Sequence, residues 1–161
     1  MPMQSPDDTK ALRRALGAFA TGVTIVTARA RDGEPVGFTA NSFTSVSLEP
    51  PLLLVCLAHG AASYGIFCAT DSFAVNVLEA GQEDTAKRFA TRGADKFGSI
   101  SWKPGLRGAP LIDGSLARFD CAMHQRVTAG DHDILMGRVL AYSVHEGDPL
   151  LYHFGSFRAL A

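Results

Sequence analysis

Gly37-Phe38-Thr39-Ala40-Asn41-Ser42-Phe43-Thr44-Ser45-Val46-Ser47-Leu48-Glu49-Pro50-Pro51 is the stretch on which the reading of this chain turns. Six of its side chains are Ser, Thr or Asn, a double proline stops it, and the apolar run Leu52-Leu53-Leu54-Val55-Cys56-Leu57 follows. Buried strands avoid hydroxyls, because each one withdrawn from water needs a partner. Two readings are open. One is a polar edge strand running into a Pro-Pro turn. The other is a row of short hydrogen-bonding side chains beside free backbone N–H groups, suited to a ligand with phosphate or imide edges.

Working outward, the β-branched run Val23-Thr24-Ile25-Val26-Thr27 predicts a strand, and Asp32-Gly33 a hairpin turn. A second strand from Val36 then pairs back antiparallel through the quoted stretch, and Leu52 to Leu57 is a third. Before them, Ser5-Pro6-Asp7-Asp8 reads as a helix start with Ser5 as N-cap, and Leu12, Ala15, Leu16 and Phe19 recur at helical spacing up to about Ala20. After them come a short helix from Ser63 to Thr70, a strand from Ser72 to Leu78 and a helix from Gln82 to Thr91. That helix has Ala86 and Phe89 or Ala90 on its inner side. The glycines and prolines between Gly93 and Pro110 predict a long surface loop. Ala117 to Val127 alternates apolar odd with polar even positions, a half-buried strand. Thr128-Ala129-Gly130-Asp131 turns it into His132 to Val144, and Pro149 to Phe154 is the last strand. Short antiparallel strands with three helical pieces predict a mainly β fold, a small barrel with helices outside.

The bulk properties exclude several classes. The 161 residues suit one domain spanning 1–161, and the net charge of −1 lacks the basic face that nucleic acid requires. Charged residues break the first twenty positions, and no apolar run reaches the roughly 20 residues of a membrane span. A cytoplasmic location is expected. Cys56, Cys68 and Cys121 are odd in number and sit in apolar contexts, as small buried residues rather than disulfide or metal ligands. No metal site is expected: in Asp131-His132-Asp133, neighbouring strand residues face opposite ways. There is also no Ser-His-Asp order, no carboxylate pair and no glycine-rich dinucleotide fingerprint.

The segment from Pro35 to Leu57, followed by Phe73-Ala74-Val75-Asn76-Val77-Leu78, Ala86-Lys87-Arg88-Phe89, Asp95-Lys96-Phe97 and Gly130-Asp131-His132, resembles the short-chain flavin reductase family from about Leu12 to Phe157. The resemblance implies an FMN-binding split β-barrel, antiparallel with peripheral helices. It also implies an NAD(P)H-dependent oxidoreductase that reduces FMN or FAD, working as the reductase component beside a separate oxygenase, and a homodimer. A reductase of ferric or other metal complexes with bound flavin, and a flavin carrier or redox sensor without turnover, are the alternatives.

By the resemblance, Gly37, Phe38, Thr39, Ala40, Asn41, Ser42 and Ser47 belong to the flavin site, and the stretch Cys56-Leu57-Ala58-His59-Gly60-Ala61-Ala62-Ser63 is its second wall, with His59 either touching phosphate or exposed. Ser63, at a helix start, offers a hydroxyl and N–H groups to a phosphate, or is an ordinary N-cap. Phe89 and Lys96 match positions near the flavin tail, where a cation offsets phosphate; a solvated lysine is the other reading of Lys96. His132 matches the nicotinamide-site histidine, with Tyr152, His153 and Phe157 at the same mouth or in the core. His59 has no place in the family pattern. No residue is expected as a catalytic acid or base, since the cofactors carry the hydride chemistry. Arg13, Arg14, Arg126 and Arg138 stand as candidate readers of a 2′-phosphate, leaving NADH against NADPH open.

Overall fold

The structure, a computed structural model, describes residues 2–161. The N-terminal helix α1 spans Thr9–Leu16 and is shorter than expected at both ends. Asp8 rather than Ser5 caps it, its carboxylate accepting from the Lys10 and Ala11 N–H groups, because the Ser5 hydroxyl is spent on Asp7. None of its residues is buried, and Leu16 and Phe19 are exposed.

The short β1 (Thr21–Gly22) leads into β2 (Thr24–Arg29), which pairs with β3 (Pro35–Ala40) through the Asp32-Gly33 turn, with Gly33 at a positive φ. The quoted stretch then divides. Its second half forms a separate strand, β4 (Thr44–Leu48), which turns through Glu49-Pro50 into β5 (Pro51–Ala58). After α2 (Tyr64–Ala69) come β6 (Ser72–Val77), a 3-10 turn at Ala80–Gln82 and α3 (Glu83–Ala90). The expected long loop contains the small hairpin β7 (Trp102–Pro104) and β8 (Pro110–Ile112). The long hairpin β9 (Ala117–Ala129) and β10 (His132–Val144) turns at Gly130, also at a positive φ. Finally β11 (Leu151–His153) pairs with β1 and with β12 (Ser156–Arg158).

Seven strands make one antiparallel sheet in the order β3-β2-β6-β9-β10-β5-β4. The segment that reads as one strand therefore forms two, at opposite edges of the sheet, and Asn41-Ser42-Phe43 crosses from one edge to the other. The sheet curls until β3 comes against β5, in contact with it but without a ladder. This is a split barrel. Period two fills its interior: Leu53, Val55 and Leu57 of β5 meet Val26, Phe73, Val75, Cys121 and Leu135. Gly137 is required there, since a Cβ at that position would lie 2.6 Å from the Phe73 ring. A second cluster, with Val23, Ile25, Leu78, Ala86, Phe89 and Ile112, packs α3 against the outside. Asn76, fully buried, accepts from Ile112 N and donates to Ile25 O, anchoring β8 to the sheet.

Three expectations from the sequence change. Asp120, an even position of β9, is buried and accepts from Leu106 N, because the β7–β8 loop folds over that face. Of the cysteines only Cys121 is buried, its thiol pushed up to about 12 by burial and by Asp120; Cys56 is half-buried and Cys68 exposed. Arg126 is spent on the C-terminal carbonyls of α2, Phe67 O and Thr70 O, and so is not free to read a phosphate. Among the described residues no helix is long and apolar enough to cross a membrane.

Candidate functional site

A cavity of about 470 Å³ lies at the split of the barrel. One wall is the end of β3 and the crossing segment: Phe38, Thr39, Ala40, Asn41 and Ser42. The Thr39 hydroxyl donates to Ala86 O at 2.6 Å, which fixes α3 behind this wall. Ser42 Oγ accepts from Cys56 N at 2.8 Å and fastens the crossing segment to β5, two residues beyond the Thr44–Leu54 pair. Asn41 is exposed, and among the described residues its amide has no partner.

The facing wall is the end of β5 and the loop beyond it, from Cys56 to Ala58 and from Gly60 to Ser63. Ser63 stands at the N-cap position of α2, but its hydroxyl makes no bond to the helix and is left at the cavity. Phe89 of α3 forms a buried surface between the walls, edge-on to Phe97. Its ring explains Gly37: a Cβ there would sit 2.8 Å from Phe89 Cε1.

Two cations line the same space. Lys96 donates to Gly37 O at 3.3 Å, and burial holds its ammonium below the ordinary lysine range. Arg92 donates to Gly60 O at 3.1 Å. Among the described residues neither makes an ion pair, so both charges remain free for an anion. The sequence reading missed Arg92, which lies outside the matched blocks and enters only because the end of α3 folds against the Gly60 loop.

His132, the first residue of β10, is in register with Ala58 of the wall and lines the cavity half-exposed. Its Nδ1 pairs with Asp131 Oδ1 at 2.6 Å, and this contact lowers the Asp131 pKa. Asp133 faces the other way and is buried. Its carboxylate receives His59 Nε2 at 2.9 Å, the Tyr64 hydroxyl at 2.8 Å and the Thr128 hydroxyl at 3.0 Å. These donors, His59 first, hold Asp133 below its usual range; Cys68 and Asp133 together raise the Tyr64 pKa. His59, without a place in the sequence pattern, thus ties the cavity wall to the hairpin that carries His132.

Three expected site residues do not line this cavity. Gly37 supports it from behind through Phe89 and Lys96. Ser47 lies on β4 opposite Leu52. Tyr152 packs edge-on to Phe157 in the outer cluster, against Val23 and Ile25.

A curled antiparallel sheet with a hydroxyl- and cation-lined cavity at its split is a split barrel. The chain belongs to the flavin reductase like domain family, whose model matches residues 16–161. It is similar to a probable flavin reductase of Rhizobium meliloti, 50% identical over 84% of this chain and 43% of that protein. It is 45% identical to the reductase subunit of a stachydrine N-demethylase of the same organism, over 94% of this chain and 66% of the relative. The chain thus spans less than two thirds of the length of these two relatives. An NADH:FAD oxidoreductase of Streptomyces globisporus, solved in complex with NAD and FAD fragments, superposes with a TM-score of 0.94. That structure is 44% identical, with 100% of this chain and 98% of that one covered.

Proposed function

We propose that this chain is an NADH-dependent flavin reductase that reduces FMN or FAD and passes the reduced flavin to a separate oxygenase component. The observation that carries this reading is the cavity itself: two walls of short polar and small residues, with Lys96 and Arg92 unpaired in it and His132 on its border. An unpaired, partly desolvated cation such as Lys96 is costly unless an anion completes it, and with the exposed Arg92 beside it this suits a flavin phosphate. The family and the named relatives agree with it.

The bound flavin supplies the hydride chemistry by taking two electrons from the nicotinamide. The chain's own residues position and shield. Small side chains at Ala40, Ala58 and Ala61 leave room for a flat ring between the walls, with Phe89 excluding water from one side. Asn41, Ser63 and the backbone groups beside them offer hydrogen bonds along the edges. His132 offers Nε2 to the incoming dinucleotide while Asp131 holds Nδ1.

A second copy of the chain completes the proposal. Leu16, Phe19, Leu48, Tyr142 and Val144 are all exposed in one chain and offer apolar side chains for a second copy to cover. The deciding experiment is anaerobic titration with NADH and NADPH in the presence of FMN and then FAD. Bleaching of the flavin absorbance by NADH is the expected result; flavin that stays oxidised with both nucleotides would overturn the reading.

A further inference from the structure

A second cavity of about 370 Å³ adjoins the flavin site. The two share Ala62, Ser63 and Lys96, so it opens where the free ammonium stands. Its walls are largely apolar: Pro35 and Val36 of β3, Ile66 of α2, and Ala94 and Phe97 of the loop after α3. Glu34 and Asp95 are its acids; Asp95 already accepts from Gly98 N, which leaves Glu34 as an exposed acceptor.

An apolar slot reached past a phosphate-binding cation, with a hydrogen-bond acceptor beside it, has the chemistry of a nucleoside seat. FMN ends at its phosphate and would leave this slot to water. FAD continues from that point through a second phosphate into adenosine. We propose that the slot seats the adenosine half of FAD and that this chain therefore binds FAD in preference to FMN. The inference rests on the flavin reading above. Lys96, bonded only to the Gly37 carbonyl, stands at the junction where a diphosphate would pass. His132 lines the flavin cavity but not the slot, whose shared border with that cavity is at Ala62, Ser63 and Lys96.

The test measures dissociation constants of FAD and FMN by titration calorimetry on the full chain, for the parent and for Ala94→Trp, which fills the slot from its loop side. The parent should bind FAD about tenfold or more tighter than FMN, and 5′-AMP, the half of FAD that FMN lacks, should weaken FAD but not FMN. Ala94→Trp should bring FAD to the affinity of FMN and leave FMN unchanged. Equal affinities in the parent, or equal losses for both flavins in the variant, would overturn the proposal. So would an Ala94→Trp effect confined to the KM for NADH in FMN-loaded protein, since the slot would then belong to the other nucleotide. If neither flavin binds the parent, the flavin reading fails first and the slot assignment falls with it. The competition with 5′-AMP needs no variant and decides the matter even if Ala94→Trp fails to fold.

Discussion

Ser42 Oγ accepts a hydrogen bond from Cys56 N at 2.8 Å, which ties the segment crossing from β3 to β4 onto β5 just beyond the last paired residues of the β4–β5 ladder. Asn41, its neighbour, is exposed at the same cavity with no partner among the described residues. The two adjacent positions should therefore behave differently. Ser42→Ala strands the N–H of Cys56 and should cost about 1–3 kcal/mol of stability as well as flavin affinity. Asn41→Ala should leave the unfolding midpoint in place and weaken only flavin, by about 1 kcal/mol, with the rate recovered at saturating flavin. Thermal unfolding and flavin titration of both variants check this; equal stability losses would contradict it.

Lys96 and Arg92 have backbone carbonyls but no carboxylates as partners. Lys96→Met should weaken flavin binding by about 1.5–3 kcal/mol, a charge-assisted hydrogen bond. Arg92→Ala should weaken it less, because that side chain is exposed to solvent. Burial lowers the Lys96 pKa, so in the free protein its charge is lost sooner on raising pH than that of an ordinary lysine. Flavin affinity of the parent should fall at alkaline pH, and that fall should be blunted in Lys96→Met; fluorescence titrations across pH read both effects.

His132 borders the cavity and is held by Asp131. His132→Ala should leave flavin affinity nearly unchanged and raise the KM for NADH, with a loss of roughly 1–3 kcal/mol in kcat/KM. A larger fall in kcat at saturation would assign the ring to alignment of the nicotinamide. Stopped-flow reduction of pre-bound flavin separates the cases, and unchanged kinetics would remove His132 from the site.

Asp133 receives donors from the wall loop, from α2 and from β9. Its folded pKa is depressed, so its contribution is present above the unfolded value near ~4 and is lost as pH falls through the folded value. The parent should lose stability in that acid window. Asp133→Asn should flatten this acid limb while being less stable near neutrality. Unfolding midpoints between about pH 7 and pH 3 test it, and parallel profiles for parent and variant would refute the assignment.

The exposed apolar side chains Leu16, Phe19, Leu48, Tyr142 and Val144 support a homodimer. An obligate interface commonly buries upwards of ~2,000 Å². Sedimentation at micromolar concentration should give twice the chain mass, and Leu48→Asp with Tyr142→Asp should shift the mass toward one chain. A parent that sediments as one chain with full activity would end this proposal.

Local chemistry made much of this protein legible from its sequence alone. Asp32-Gly33 and Gly130-Asp131 mark turns because only residues that tolerate positive φ fit them, and period two in Leu53, Val55 and Leu57 marks a buried strand face. The block from Gly37 to Pro51 and the triplet at His132 carried the family. What the tertiary structure decided is every relation between residues far apart in sequence. Thr39 to Leu48 reads as one continuous strand, since periodicity reports only which faces are buried and not which neighbour a strand selects. Folding sends its halves to opposite edges of the sheet. Arg92 reaches the Gly60 carbonyl and His59 reaches Asp133 because long-range strand pairing and helix packing bring them together. Such pairings leave no local trace: a histidine or an arginine has the same sequence neighbours whether it points into solvent or into a site. Tyr152 shows the same from the other side: the sequence allows it at the nicotinamide mouth or in the core, and β1–β11 pairing places it against the outer cluster.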